Sequence, residues 1–572
     1  MVGDLIITAS TIITMNPAEP RATAVAVDTA AGTITAVGSL PQCRAVAPDA
    51  AERDLGDTVL MPGFIEAHNH PFLSGVVTQP PAYWIASYVG YPGWNDVAAL
   101  FRKIQAERPA GAPVMFNGLD RLLQQVAEPT NTTLDAYFPD RPVAVLDNSG
   151  HEVYFNSATI TFLGWTAGPP PDPEGARFGR NADGTSNGRA YETAGVLAVA
   201  GPLMAVAIGH PLYSAAQWYS LMARGGITAT TDMTYSTPYL KGYEALASVP
   251  DCPLRISLYH MSIEADANEP LSCPLPDTMI RKQGIKLWAD GSPWVGTAAL
   301  SYPYLDSATV RGAGIPIGPS GESAMNYSRA QLDASLDRFA GKGWQMSFHV
   351  NGDVGLDVVL DAYERALSVQ GLNGTDHRWR VEHLGGARAD QFPRVASLGV
   401  HASLGPFQFI YWGDLLDGEL FPTEIGSEWM RFGDAVDAGV CVSFHNDGSV
   451  SPPTPLLNIQ TAITRTTPSG TLHGKDQVIS LDAALAAQTI DAARTLHREH
   501  EIGSIAEGKL ADFVELSTDP YRAEPSGFCD QVTVGATWRG GRRIDLDAFL
   551  AEVKAIDPAA HGHLAKPAGQ CP

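Results

Sequence analysis

The chain has 572 residues, more than one hydrophobic core comfortably serves, so its length predicts a large domain with a smaller one appended or inserted. Its 45% hydrophobic and 8% aromatic content, with a mean hydropathy of -0.05, excludes a disordered chain. A formal net charge of -24, from 38 Lys+Arg against 62 Asp+Glu with no basic run, argues against a nucleic-acid or anionic-membrane surface and fits a solvated acidic exterior.

In chain order, DLIITASTIITM, ATAVAVDTAAGTITAVGS and DTVLMPGF read as strands of a small β domain over residues 1–60. VLMPGFIEAH (59–68) opens a pattern of apolar strands separated by helices. Residues 71–215 are too many for a simple βα connection and read as an inserted subdomain. It holds the strands PVMFNGLD and PVAVLDNSGH and a Pro/Gly-rich hairpin or turn stretch, GPPPDPEGARFGRNADGTSNGRA. Seven more strands follow: GITATTDM (226–233), PLRISLYH (253–260), IKLWAD (285–290), WQMSFHV (344–350), RWRVEHL (378–384), GVHASLGP (399–406) and GVCVSFHND (439–447). Eight such strands predict an α/β fold, a TIM-type (β/α)8 barrel over 61–499.

Two helices between strands have clear three-and-four periodicity: SRAQLDASLDRFAGKG, and GLDVVLDAYERALSVQG, which starts just after Asp353 and stops near Gly371. GSIAEGKLADFVELS and DQVTVGATWRGGRRI supply strands in 500–555 that are expected to close a β-sandwich with the first 60 residues. The tail after about Ala555 reads as a surface-lying end.

Six cysteines (Cys43, Cys252, Cys273, Cys441, Cys529, Cys571) show no short metal-ligand spacing, which fits a reducing compartment. MVGDLIITASTIITMNP lacks a basic segment followed by an apolar one, and no stretch reaches the roughly 18 apolar residues of a membrane span. A soluble, cytoplasmic protein is expected, with no nucleic-acid or membrane partner; a homodimer stays open.

Active sites of such barrels lie at the C-terminal ends of the strands. The first strand ends in His68-Asn69-His70, whose alternate side chains share one face and can chelate one ion. Alone this pair is weak, but four other strand ends carry Lys286, His349, His383 and Asp447, and imidazole and carboxylate are the usual ligands of Zn2+ and similar ions. Lys286 has two readings. It either pairs with a carboxylate such as Asp290, or loses its proton on burial and adds CO2 to form a carbamate that bridges two ions.

The order H-x-H, K, H, H, D, with MPGFIEAHNHP early and GSIAEGKLADFVEL late, resembles the amidohydrolase superfamily. Within it the chain is similar to the YtcJ-like branch (amidohydrolase family 3), which includes N-substituted formamide deformylases. The likeness runs through GITATTDM, IKLWADGS, FHVNGD, VEHLGGARADQFPRVASLGVHASLGP and TPLLNIQTAITR. The resemblance implies a barrel flanked by a β-sandwich from both termini. It implies that His68 and His70 hold a more buried metal, that His349 and His383 hold a more exposed one, and that carboxylated Lys286 bridges them. Asp447 is implied as ligand and general base, and one or two ions, Zn2+ foremost, as cofactor.

A divalent ion lowers the pKa of bound water toward about 7 and polarises a carbonyl, so hydrolysis of an amide, formamide or carbamate C–N bond of a small substrate is the expected reaction. An esterase, lactonase or cyclic-amide hydrolase would use the same centre, and a non-catalytic barrel would be expected to lack some ligands.

His151, in DNSGHEVYFNS after Asp147, matches a segment the family places over the pocket and is the expected substrate-polarising residue, against a hydrogen-bonded loop histidine. Asn156 and Ser157 read as structural. His445 shares the strand face with Asp447 and reads either as orienting a ligand through its other ring nitrogen or as a residue without such a role. Trp84, Trp94, Trp288, Trp294 and Trp412 read either as an aromatic substrate pocket or as packing. Relatives commonly carry Gln-Pro-x-His where this chain has Gly405-Pro406-Phe407-Gln408, so a polar substrate contact is expected to be missing or supplied by Gln408. His210, His260, His377, His401, His473, His497, His500, His561 and His563 read as surface or core residues.

Overall fold

The computed structural model describes residues 4–556. The tail expected after about Ala555, with His561, His563 and Cys571, lies beyond them apart from its first residues. The eight expected barrel strands all form: Phe64–Glu66, Ile227–Tyr235, Arg255–Met261, Ile280–Trp288, Gln345–Gly352, Arg380–Gly386, His401–Leu404 and Val442–Phe444. They pair in parallel, each with its sequence neighbour, in one nearly closed sheet. At the seam Ala67 N donates to Phe444 O at 3.4 Å, and Asn446 Nδ2 donates to the Glu66 carboxylate at 2.8 Å. Burial pushes the Glu66 carboxyl up to about 8 despite the Asn446 donors.

One boundary differs from the sequence reading. Residues 59–68 are not one strand: Val59–Pro62 belongs to the sheet of the termini and Phe64–Glu66 to the barrel. The break is Gly63, where a Cβ would stand 2.0 Å from Thr228 Oγ1, so only glycine lets the backbone pass the second strand so closely.

Strands from both ends of the chain join one eight-stranded sheet. Phe513–Leu516 pairs antiparallel with Val59–Pro62 and with Val534–Arg539, while Leu5–Ile13 lies on the other side of Val59–Pro62. A six-stranded sheet lies between the first two barrel strands in sequence. It includes Val114–Leu119 and Val143–Asp147, as expected, and the hairpin Arg177–Arg180 with Ser186–Tyr191 in the Pro/Gly-rich stretch. The two anticipated helices are Arg329–Phe339 and Asp353–Val369; the second buries Leu356, Val359, Leu360, Tyr363, Ala366 and Leu367 at helical spacing against the barrel. Among the described residues no single helix is long and apolar enough to cross a membrane; Glu192–Ala207 with Pro211–Arg224, bent by 104°, passes that test only as a pair.

The sheet of the termini is tied to the barrel by Arg255, whose Nε and Nη2 reach the two Asp512 oxygens at 2.5 and 3.0 Å, both residues being buried. Burial works to raise the Asp512 pKa, but Arg255 more than offsets it and holds the carboxyl below its ordinary value. The pair's stabilisation is therefore full above the unfolded-state pKa and lost as pH falls through the lower folded value. Asp512→Ala leaves a buried unpaired guanidinium and is expected to cost about 3–5 kcal/mol in denaturant unfolding, and a loss under about 1 kcal/mol would contradict this.

Candidate metal centre

His68, His70, His151, Lys286, His349, His383 and Asp447 all line one cavity of about 360 Å³ at the C-terminal end of the barrel. Their convergence follows from the parallel register, which brings the end of each strand to the same rim. One donor atom each from His68, His70 and Asp447 lies within 4.8 Å of the other two. Asp447 Oδ1 stands 3.4 Å from His68 Nε2 and 3.2 Å from His70 Nε2. The His68 and His383 rings are 4.6 Å apart, and those of His349 and His383 are 4.7 Å apart.

Three of the imidazoles, His68, His70 and His383, are oriented from behind. His68 Nδ1–H donates to Glu382 at 2.8 Å, and Glu382 is held by Arg380 Nη2 at 2.8 Å and Ser347 Oγ at 2.7 Å. His70 Nδ1–H donates to Thr234 Oγ1 at 3.0 Å, and that hydroxyl donates to Asp232 at 3.2 Å. Both relays turn Nε2 toward Asp447. His383 Nδ1 lies 3.1 Å from His445 Nε2, and His445 Nδ1 lies 2.9 Å from Ser403 Oγ, so His445 sits behind His383 as its position two residues before Asp447 suggested.

The charges sort by environment. Burial first, and then Lys286, push His68 down; burial, then His151 and Lys286, push His349 well down. Burial opposes charge on Asp447, yet His68, His70 and His383 hold its carboxyl well below the usual range. Burial lowers Lys286 to about 8, with Glu382 and Asp447 pulling the other way. The pairing with Asp290 does not form: Asp290 accepts the backbone N–H groups of Ala299, Asn351 and Gly352 at 2.8–2.9 Å instead.

His151 comes from the insertion. Its Nε2 lies 3.1 Å from His349 Nε2, and its Nδ1 lies 2.7 Å from Glu192. Burial disfavours protonation, but Glu192 outweighs it and raises the His151 pKa. Asp147 stays in the insertion, accepting from Ser149. Asn156 caps the helix Ser157–Phe162, and Ser157 Oγ donates to Asp135, both structural roles as expected.

Of the two readings of the tryptophans, packing holds for four. Of the five tryptophans only Trp288 lines the cavity. Trp84 packs edge-on against Trp218, Trp94 against Phe101 and Tyr137, and Trp294 stacks on Trp412 at 4.4 Å. The apolar wall is aliphatic instead, from Leu73, Val77, Val196, Leu197, Ala200 and Met204 on two helices of the insertion. Gln408 does not supply a substrate contact: Nε2 donates to Asn351 and Oε1 accepts from Trp429, outside the cavity lining. Glu382, Asp232, Thr234 and Glu192 were not anticipated; only the Glu382-His383 adjacency hints at one of them.

The backbone is strained at the same place. His383, Leu384 and Asp447 adopt φ of 76°, 53° and 52°, a left-handed region that non-glycine residues rarely occupy.

The donor set suits a divalent cation. Asp447 Oδ1 and His349 Nδ1 are buried without a hydrogen bond, which the packing alone does not explain. Residues 51–545 match the Amidohydrolase family. The chain belongs to that family. This amidohydrolase is 26% identical over 543 residues to the N-substituted formamide deformylase of Arthrobacter pascens, covering 90% of this chain and 94% of that one. To the putative amidohydrolase YtcJ of Bacillus subtilis it is 24% identical over 497 residues, covering 84% and 88%. An uncharacterized metal-dependent hydrolase of Pyrococcus horikoshii shares the fold, with a TM-score of 0.70 at 20% identity over 91% of this chain and 99% of that one. The amidohydrolase is accordingly an enzyme, a hydrolase acting on C–N bonds.

Proposed function

We propose that the enzyme hydrolyses the C–N bond of a small N-substituted amide, formamide or carbamate carrying an apolar group. The observation that carries this reading is the joint convergence of His68, His70, Lys286, His349, His383 and Asp447 on one cavity whose far wall is aliphatic. His68, His70 and Asp447 would hold one ion, and His349 and His383 a second, with Zn2+ the best match to imidazole and carboxylate donors. When bound, the metal supplies Lewis acidity toward the carbonyl and makes water acidic enough to react at neutral pH.

The chain's own groups do the rest. A lysine at about 8 is neutral for roughly a tenth of the time at pH 7. Its free amine can add CO2, forming the N–C bond of a carbamate and releasing one proton, and the two new oxygens would face the ions. Asp447, kept ionised by its histidines, takes the proton of the attacking water and passes it to the departing nitrogen. His151, protonated against Glu192, faces the substrate oxygen and stabilises the charge that develops there. The insertion's aliphatic wall receives the N-substituent and excludes water from the reacting carbonyl.

A panel of N-alkyl and N-aryl formamides, carbamates, cyclic imides and lactones tests the reading. Turnover is expected on the acyclic C–N substrates, rising with an apolar N-substituent; lactone-only turnover would replace it with an esterase or lactonase.

A further inference from the structure

A second cluster lies on the rim of the same cavity. The third barrel strand carries His260 near its end, and the following loop carries Glu264 and Asp266, a His-x3-Glu-x-Asp spacing. One donor atom from each lies within 4.8 Å of the others. His260 Nε2 is 3.5 Å from Glu264 Oε2 and 3.4 Å from Asp266 Oδ1. The imidazole is only 2% exposed, and neither of its nitrogens makes a hydrogen bond. A buried polar group without a partner costs roughly 1–3 kcal/mol. Here it is aimed between two carboxylates that repel each other unless a cation stands between them.

The loop is braced to keep this arrangement. Arg338 donates to the carbonyls of Ser262, Glu264 and Ala265 at 2.8, 2.6 and 3.0 Å, and Lys282 donates to those of Ala267 and Glu269 at 2.7 and 2.5 Å. The carboxylates are steered from the neighbouring loop: Ser236 Oγ donates to Glu264 Oε2 at 2.9 Å, and Thr237 Oγ1 to Asp266 Oδ2 at 2.6 Å. The Thr237 contact leaves Asp266 Oδ1 for His260, the kind of outer hydrogen bond that orients a metal ligand.

We propose that His260, Glu264 and Asp266 form a further divalent-cation site, separate from the centre at His68, His70 and Asp447. One imidazole with two carboxylates selects an ion of the zinc, cobalt or manganese type over calcium or magnesium, which favour all-oxygen shells. Glu264, Met261 and Ser236 are also part of the cavity wall, so an ion held there stands beside the bound substrate.

Zn2+ titration of the full-length protein, by calorimetry and by elemental analysis after desalting, tests this. The wild type is expected to take up one more Zn2+ per chain than Asp266→Asn, whose side chain is 42% exposed and whose replacement spares the core. Glu264→Gln and His260→Gln should weaken the same uptake by at least about tenfold. The Asp266-dependent ion should persist in a His68→Asn/His70→Asn background, which separates it from the catalytic centre. Equal stoichiometry and affinity in wild type, Asp266→Asn and Glu264→Gln would overturn the proposal, and so would Ca2+ binding as tightly as Zn2+.

Discussion

Asp447→Asn should lose about 10²- to 10⁴-fold in kcat while keeping its fold and its bound metal, the range expected when a positioned general base is removed. The amide preserves the shape of the carboxylate, and His68, His70, His349 and His383 remain to hold the ions. It cannot accept a proton at Oδ1, the buried oxygen that makes no hydrogen bond. Because the surrounding histidines hold the Asp447 carboxyl well below its ordinary value, the wild-type base stays ionised through the neutral range, and activity should fall only at pH below the usual carboxylate range. Single-turnover kinetics with metal analysis checks both parts. Unchanged turnover in the variant would remove Asp447 as the base.

His151→Asn should lower kcat by about 10²- to 10³-fold with a smaller change in KM, since a preorganised donor acts on charge that appears mainly in the transition state. Glu192 raises the His151 pKa above its ordinary value of 6.5, so the donating, protonated form persists to higher pH than in a free imidazole and is lost as pH rises through the raised value. The wild type should therefore show an alkaline decline in kcat that Glu192→Gln moves to lower pH and His151→Asn abolishes. The same alkaline limb in His151→Asn would assign it to another group and return His151 to a structural role.

The barrel was legible in the sequence because parallel strands buried on both faces read as short apolar runs, and five of the eight ended on metal-type ligands. Asp447 follows VSF, His383 follows VE, and His349 sits inside SFHV; their convergence needed only the rule that parallel strands present their ends on one rim. The break at Gly63 was not legible, since VLMPGFIEAH is apolar throughout. What divides it is the close passage of Thr228, a contact made across 165 positions.

The groups behind the histidines were hidden for the same reason. His68 and Glu382 are 314 residues apart, and Glu192 stands beside His151 only because the strand Ser186–Tyr191 pairs with Glu152–Phe155, so no local spacing announces either pair. The tryptophans carried two readings, and packing prevailed for four of the five. Large aromatic side chains signal burial, and Trp294 on Trp412 satisfies it with packing, whereas the cavity wall is made of Leu, Val, Ala and Met that sequence pattern assigns to any core. His260 was read as an ordinary core or surface residue because its two carboxylates lie on an irregular loop, where spacing carries little geometric information.

Elemental analysis of the purified wild type beside His68→Asn/His70→Asn, with activity measured on the same samples, tests the metal centre most directly. At least one tightly bound divalent ion is expected in the wild type, lost from the double variant together with turnover. A wild-type protein that carries no metal and gains no activity from added Zn2+ or Mn2+ would contradict the account.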